Sequence, residues 1–407
     1  MAIVVTPSTP CLRIGVFGRA EPLSFGPLEI LARTSPSLAH AWPRPDIAPE
    51  ERLIDLFPIG PALLIDSSGA SAPAASTLAS RIDIALVISG SRGWGALETR
   101  RLTDAIAIGA PTVAVIDTAQ GVMPSAALLN SLRARGAVCV LAGASPERTL
   151  NDLTEAIVRI APSEHLGALP ISAEIASPGD VVVLVVPMEL AAPKGRLFVQ
   201  QVECIRDLLD NEVCCMVSTQ MEVRQALRAL SQPPSLVVTA AGAFPKVAAD
   251  IDRAIPMTTY SILLSRAQAD LMEFVRGAVA IERLKPGARV LVCESRGSCR
   301  GADKVGRSEI PRWLQQRIGS ALEFSHCAPS QFPESLEGYD LVIHSDAVSI
   351  ARRVMLGHIL RCRRAGVPIT SYGMAIAYTQ RLFERALSPF SGALEPYWEQ
   401  KLAPRGE

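Results

Sequence analysis

The chain has 407 residues, 49% of them hydrophobic, and its 40 Lys+Arg balance 40 Asp+Glu to leave no net charge. That length and apolar content suit two to four domains with sizeable cores, whereas the neutral balance and the 5% aromatic content speak against nucleic acid or an anionic membrane as partners. The longest apolar runs are strand-sized, the start MAIVVTPSTP has no leader-like basic and apolar regions, and nine scattered cysteines without a C-x-x-C spacing suit a reducing compartment, so a soluble cytoplasmic protein is expected.

Short β-branched runs alternate with helical stretches along the whole chain, which predicts an α/β fold of three domains with mostly parallel sheets flanked by helices. The first, residues 1–165, has strands at Leu12–Phe17, Ala62–Ile65, Ile84–Ile88, Thr112–Ile116 and Ala137–Leu141, with helices over Leu97–Ile108 and Ser125–Arg135. The proline-rich Ser35–Pro49 and the Ser/Ala-rich Ser67–Ser76 read as loops. A linker near Ser163–Gly179 leads to the second domain, residues 166–286. Its strands are expected at Val181–Val186, Cys214–Val217, Leu236–Thr239 and Met257–Tyr260. A helix over Leu197–Leu209 and one long helix over Ser261–Leu284 accompany them. After Lys285-Pro286-Gly287, the third domain, residues 287–407, has strands at Val290–Cys293, Leu322–His326, Leu341–His344 and Pro368–Thr370. Helices over Ile310–Ile318, Ser349–Ala365 and Met374–Leu387 fit between them.

The first strand runs Arg13-Ile14-Gly15-Val16-Phe17-Gly18 into a turn where a phosphate-binding loop would follow the spacing G-x-x-x-x-G-K-[ST]. Counted from Gly18, that motif places Gly, Lys and Ser/Thr where this chain has Leu23, Ser24 and Phe25, just after Pro22. Pro22 removes a backbone N–H from the nest that would cradle phosphate, and Leu23 lacks the conformational freedom of glycine. The cation for the β- and γ-phosphates and the hydroxyl for Mg²⁺ are also missing. Downstream, Asp66-Ser67-Ser68-Gly69 keeps a D-x-x-G spacing, so Gly18, Asp66 and Gly69 are the vestigial nucleotide-binding candidates. The fourth expected strand ends in Asp117-Thr118-Ala119-Gln120, without the Asn, Lys and Asp that read guanine. GTP with Mg²⁺ is therefore not expected to bind in the ordinary way, and the chain leans away from being an enzyme.

Longer strings appear further on. They include Gly179-Asp180-Val181-Val182-Val183-Leu184-Val185-Val186-Pro187, Ala192-Pro193-Lys194-Gly195-Arg196-Leu197 and Pro233-Pro234-Ser235-Leu236-Val237-Val238-Thr239. The third domain adds Val305-Gly306-Arg307-Ser308-Glu309-Ile310-Pro311-Arg312-Trp313-Leu314 and Val367-Pro368-Ile369-Thr370-Ser371-Tyr372-Gly373-Met374. In these the chain resembles HydF, the maturation GTPase and scaffold of [FeFe]-hydrogenase, densely from about residue 179 to 390 and faintly before. The resemblance implies a GTPase domain, a dimerisation domain and a domain that carries a [4Fe–4S] cluster on a C-x-H and an H-C-x-x-C motif. Carried over from Gly306-Arg307, the first motif falls on Arg296 and Ser298. Carried over from Leu341–Ile343, the second falls on His344, Ser345 and Val348. Only His344 survives, and thiolates hold cluster iron.

The implied reading is a non-catalytic scaffold or partner-binding protein linked to hydrogenase or related metallocluster maturation. It would be a homodimer, or a heterodimer with a HydF-type protein, with a hydrogenase or maturation factor as further partner. The residues leave two alternatives open. One is an iron–sulfur or other metal site rebuilt from Cys293, Cys299, Cys327 and His344, at and beyond strand ends; the other is a divergent GTP-binding protein. Lys194, Arg196, Arg206, Asp207 and Asp210 mark a charged helix surface, the Gly297–Arg307 loop is basic, and Asp346 is a lone carboxylate in the old cysteine-bearing turn.

Overall fold

A computed structural model describes residues 11–18, 51–66, 82–89, 93–118, 121, 123–143, 145–166, 170–171, 175–186, 197–294, 305–345, 350–390 and 392–402. The chain divides into two compact units, Met1–Gly167 and Ala168–Glu407.

In the first unit β1 (Leu12–Gly18), β2 (Glu51–Leu56), β3 (Gly60–Asp66), β4 (Ile84–Ile88), β5 (Thr112–Asp117) and β6 (Val138–Ala142) form one sheet in the order β2-β3-β1-β4-β5-β6. All neighbours are parallel except β2, which runs antiparallel to β3 at the edge. The mostly parallel sheet is wound outward both ways from β1, and the direction of winding reverses between β1 and β4. Strand β4 is buried at all five positions, which explains its uninterrupted apolar run: helices cover both faces of such a strand. On one face Phe17, Val87, Ala114 and Ile116 pack with Leu102 of α1 (Ala96–Ala107) and Leu132 of α2 (Ala126–Ala134). Each of the larger side chains among these contributes about 1.5–3 kcal/mol. Two elements escape the sequence reading. Strand β2, Glu-Arg-Leu-Ile-Asp-Leu, mixes charges with apolar residues because it is an edge. Helix α3 (Pro146–Ile160) starts at Ser145, whose hydroxyl accepts from the Arg148 N–H at 3.4 Å.

The second unit holds two four-stranded parallel sheets. The first has the order β10-β9-β7-β8 and is made of β7 (Val181–Val186), β8 (Cys214–Thr219), β9 (Leu236–Thr239) and β10 (Met257–Thr259). Its helices include α4 (Val199–Asp210), α5 (Val223–Arg228) and α6 (Phe244–Asp250). The other has the order β12-β11-β13-β14 and is made of β11 (Arg289–Cys293), β12 (Glu323–Cys327), β13 (Leu341–His344) and β14 (Ile369–Ser371).

The long helix expected over Ser261–Leu284 is instead α7 (Tyr260–Gln268) and α8 (Leu271–Val279), followed by a 3₁₀ turn over Ala280–Arg283. Ala269 is extended, and the Asp270 carboxylate accepts from the Glu273 N–H at 2.9 Å, so a new helix begins where the periodicity ran on. After α9 (Ile310–Ile318) and α10 (Arg352–Ala365), the helix expected over Met374–Leu387 is likewise divided. Its parts are α11 (Tyr372–Thr379) and α12 (Phe383–Leu387), with Arg381 left-handed at φ 60° between them. A last helix, α13, spans Glu395–Leu402.

The second and third expected domains lie together in this one unit. Helix α8 packs on β14 so closely that a Cβ at Gly277 would stand 1.9 Å from the Ile369 carbonyl oxygen. Beside it the Thr370 hydroxyl donates to the Phe274 carbonyl at 2.8 Å, and the Thr258 hydroxyl donates to the Ala386 carbonyl at 2.8 Å.

Candidate functional site

In doubly wound sheets ligands bind beyond the carboxyl ends of the strands, at the point where the order reverses. In the first unit that point lies between β1 and β4, whose ends Gly18 and Ile88 pair, while Asp66 ends β3 on the other side of β1, where it pairs with Val16. Gly18 pairs with Ile88, and a Cβ there would meet the Ile88 carbonyl oxygen at 2.8 Å, so this glycine is required by strand packing. Gly69 and the segment from Arg19 to Pro49, with Pro22, Leu23, Ser24 and Phe25, lie outside the described residues. At the β4–β5–β6 side of the sheet the strand ends are tied to one another. The Asp117 N–H donates to the Ser89 hydroxyl at 3.0 Å, and the Thr118 hydroxyl donates to the Ala142 carbonyl at 3.0 Å.

The carboxyl edge of the last sheet is chemically richer. Cys327, Cys293, His344 and Ser371 end β12, β11, β13 and β14 in direct register, one row across all four strands. Paired residues of a parallel sheet point to the same face. Over that face α10 places His358 and, one turn on, Cys362. Cys293 is 0%, His344 1% and His358 3% exposed, and the Cys293 sulfur and one ring nitrogen of each histidine lie within 4.8 Å of one another.

His344 Nδ1 sits 2.8 Å from the Ser345 carbonyl oxygen, which only accepts, so Nδ1 carries the proton. Its Nε2 is then a lone pair, and His358 Nδ1 at 3.1 Å donates to it. The His358 ring stacks on Phe332 with centroids 4.0 Å apart, and Arg361 in turn donates to the Phe332 carbonyl at 3.3 Å. Burial pushes His344 down to about 4, partly opposed by its bond to Ser345. Burial, then the neighbouring His344 and Arg361, push His358 down to about 3. Both rings are therefore neutral at physiological pH. The Cys293 thiol is pushed up by its hydrogen bond to Cys327 and by burial, and the half-buried Cys327 is lowered because it accepts that bond.

On the opposite face of the same edge, Glu294 is buried between three partners. Arg307 Nε lies 2.9 Å and His326 Nδ1 3.4 Å from its carboxylate, and the Tyr372 hydroxyl donates to it at 3.2 Å. Gly306 passes so close that a Cβ would fall 2.0 Å from the Tyr372 hydroxyl oxygen. The Gly-Arg pair that anchors the family string thus builds this packing.

Of the metal candidates read from the sequence, the structure brings Cys293, Cys327 and His344 together; Cys299 lies outside the described residues. It adds His358, which the sequence reading missed. The signal was present: Met355, His358, Ile359 and Cys362 stand at i, i+3, i+4 and i+7 of one helix, so a histidine occupies the apolar stripe. Of the expected charged surface, Arg206 pairs with Asp210 in solvent and the Asp207 carboxylate accepts from the Ile171 N–H at 2.9 Å. Lys194, Arg196 and Asp346 lie outside the described residues. Most of the basic loop does too, and its last residue, Arg307, is the one held by Glu294.

The donors do not fit the [4Fe–4S] cluster that the resemblance implies. Of the five ligand positions only His344 is kept, and the others carry Arg, Ser and Val, which offer no thiolate to cluster iron. A ligand set within 4.8 Å, led by one thiol and two imidazoles, has the span of a single ion.

The fold is thus that of a three-sheet α/β protein whose last two sheets share one unit, with a thiol–imidazole cluster at the head of the third. Residues 171–269 match the hydrogen maturase F dimerization domain and residues 272–389 the hydrogen maturase F tetramerization domain. The two matches cover just over half of the chain, which belongs to the hydrogen maturase F family. Their boundary falls at the break between α7 and α8. No curated protein matches the chain. Among solved structures, an NtrC-family transcriptional regulator from Clostridium acetobutylicum is similar over 52% of this chain and 96% of its own. Its identity is 8% and its TM-score 0.18, too low to carry an argument. No described helix is long and apolar enough to cross a membrane.

Proposed function

We propose that this chain is a non-catalytic scaffold of the hydrogen maturase F family, which assembles with a second copy of itself through its dimerization domain and holds maturation partners instead of turning over GTP. The observation that carries the reading is a second apolar face on α4. Gln201, Cys204 and Leu208 turn inward, while Val199, Val202 and Leu209, at 61%, 50% and 54% exposure, form a stripe on another side of the helix. Beside it, β8 is the edge of its sheet, with Val217 at 47% exposure and free to meet another chain. An apolar helix face next to an open strand edge is suited to a symmetric interface with its own copy. The scaffold half of the reading is supported by the sequence at the phosphate loop, where Pro22, Leu23 and Phe25 replace the groups that bind and polarise a nucleotide.

Light scattering on size-exclusion-purified full-length chain tests the assembly. The reading expects a dimer or larger species at micromolar concentration, and its conversion to monomer in Val202→Asp without loss of thermal stability. A wild-type monomer at that concentration, or an assembly indifferent to Val202→Asp and Val199→Asp, would overturn it.

A further inference from the structure

We propose that Cys293, His344 and His358, with Cys327 as the fourth ligand, form a site for a single divalent ion of the zinc type. Zinc bonds of about 2.3 Å to sulfur and about 2.0 Å to nitrogen at tetrahedral angles set neighbouring nitrogens roughly 3.3 Å apart and nitrogen from sulfur roughly 3.6 Å. His344 Nε2 and His358 Nδ1 are already 3.1 Å apart, and Cys293 Sγ lies within 4.8 Å of a ring nitrogen of each histidine. The outer shell is also in place. The Ser345 carbonyl fixes the proton of His344 on Nδ1 and turns Nε2 inward, as ligating histidines require, and Phe332 clamps the plane of His358. In the metal-bound state His358 takes the other tautomer, its proton on Nε2.

Cys327 follows from charge. A buried ion carrying two positive charges against one thiolate leaves a net charge in the core, which is costly. Two thiolates and two neutral imidazoles cancel it. Cys327 lies outside the 4.8 Å set but pairs in register with Cys293, shares a hydrogen bond with it and is half-buried. Binding breaks two S–H bonds, forms two metal–sulfur bonds and releases two protons to solvent; nothing is oxidised or reduced. Two sulfur and two nitrogen ligands in tetrahedral array select zinc or a similar soft ion over magnesium or calcium.

The test is anaerobic titration of chelator-treated full-length protein with Co²⁺, followed by visible absorbance and by proton release in weak buffer. One equivalent should produce the intense d–d bands of tetrahedral cobalt and a thiolate charge-transfer band, release two protons, and be displaced by Zn²⁺. His358→Gln should weaken binding at least about 100-fold, the upper end of what losing an outer-shell partner costs. Cys327→Ser, at the half-buried position where folding is least at risk, should cut the released protons from two to one and roughly halve the charge-transfer intensity. Cys204→Ala, a buried cysteine on α4, should bind as wild type. Absence of the d–d bands from wild-type protein would overturn the site, as would bands that persist unchanged in His358→Gln. Release of one proton from wild type would remove Cys327 from it. None of these readouts depends on the oligomeric state, so the site and the scaffold reading fail separately.

Discussion

The carboxyl edges of the first and last sheets offer the same opportunity and use it differently. In both the strands that carry the edge run parallel, and both edges sit where the family resemblance implies chemistry. In the first, the described strand ends are tied to one another: Gly18 against the Ile88 carbonyl, the Asp117 N–H on the Ser89 hydroxyl, the Thr118 hydroxyl on the Ala142 carbonyl. In the last, the ends carry Cys327, Cys293 and His344 in one row, roofed by His358 and buried. A phosphate site is made mostly of a loop's backbone and one cation. A ligand cluster is made of side chains, which the last sheet and α10 bring together.

That contrast can be broken or sharpened by experiment. The largest effect is expected where the last sheet meets α8. Gly277→Ala drives a Cβ into backbone at Ile369, and should cost about 3 kcal/mol or more in urea unfolding. A cost below 1 kcal/mol would mean that α8 and β14 are not in contact.

Next comes the pH dependence of the cluster in metal-free protein. Both histidines are depressed in the folded state, to about 4 and about 3, while the unfolded chain takes up those protons near 6.5. Stability is therefore complete above about pH 6.5 and falls as the pH drops toward 4, by an amount on the order of a few kcal/mol. The melting midpoint should decline from pH 7 to pH 5, and His358→Gln should flatten that slope. An equal slope in the variant would mean the rings are hydrated.

In the first unit Gly18→Ala should cost about 1–3 kcal/mol through the contact with Ile88, as a packing effect with no change in nucleotide binding. Loss of a nucleotide-dependent signal in that variant would show that the phosphate edge is still in use. The smallest effect belongs to Arg206→Ala. Its pair with Asp210 is exposed, so the melting midpoint should not move measurably.

The sheets were legible in the sequence because both faces of each parallel strand are buried: Ile84–Ile88, Val181–Val186, Leu236–Thr239 and Leu341–His344 read as continuous apolar runs. Strand β2 was not, because an edge strand needs no such run. Helix ends inside long apolar stretches were also hidden. Asp270 as a cap and Arg381 in the left-handed region decide them, and each is a local event that a 3.6-residue period passes over. The candidate site was half legible. Cys293, Cys327 and His344 announce themselves at strand ends, whereas His358 comes from a helix and joins them only through the fold. No spacing rule connects position 344 to 358, but a histidine in the i, i+3, i+4, i+7 stripe of α10 is a polar group in a buried position and calls for a partner.

The central claim is that this member of the hydrogen maturase F family does not work through GTP. Isothermal titration of the full-length chain with GTP in the presence of Mg²⁺ tests it most directly. The account predicts no saturable heat up to millimolar nucleotide. Tight binding that disappears in Asp66→Ala would contradict it.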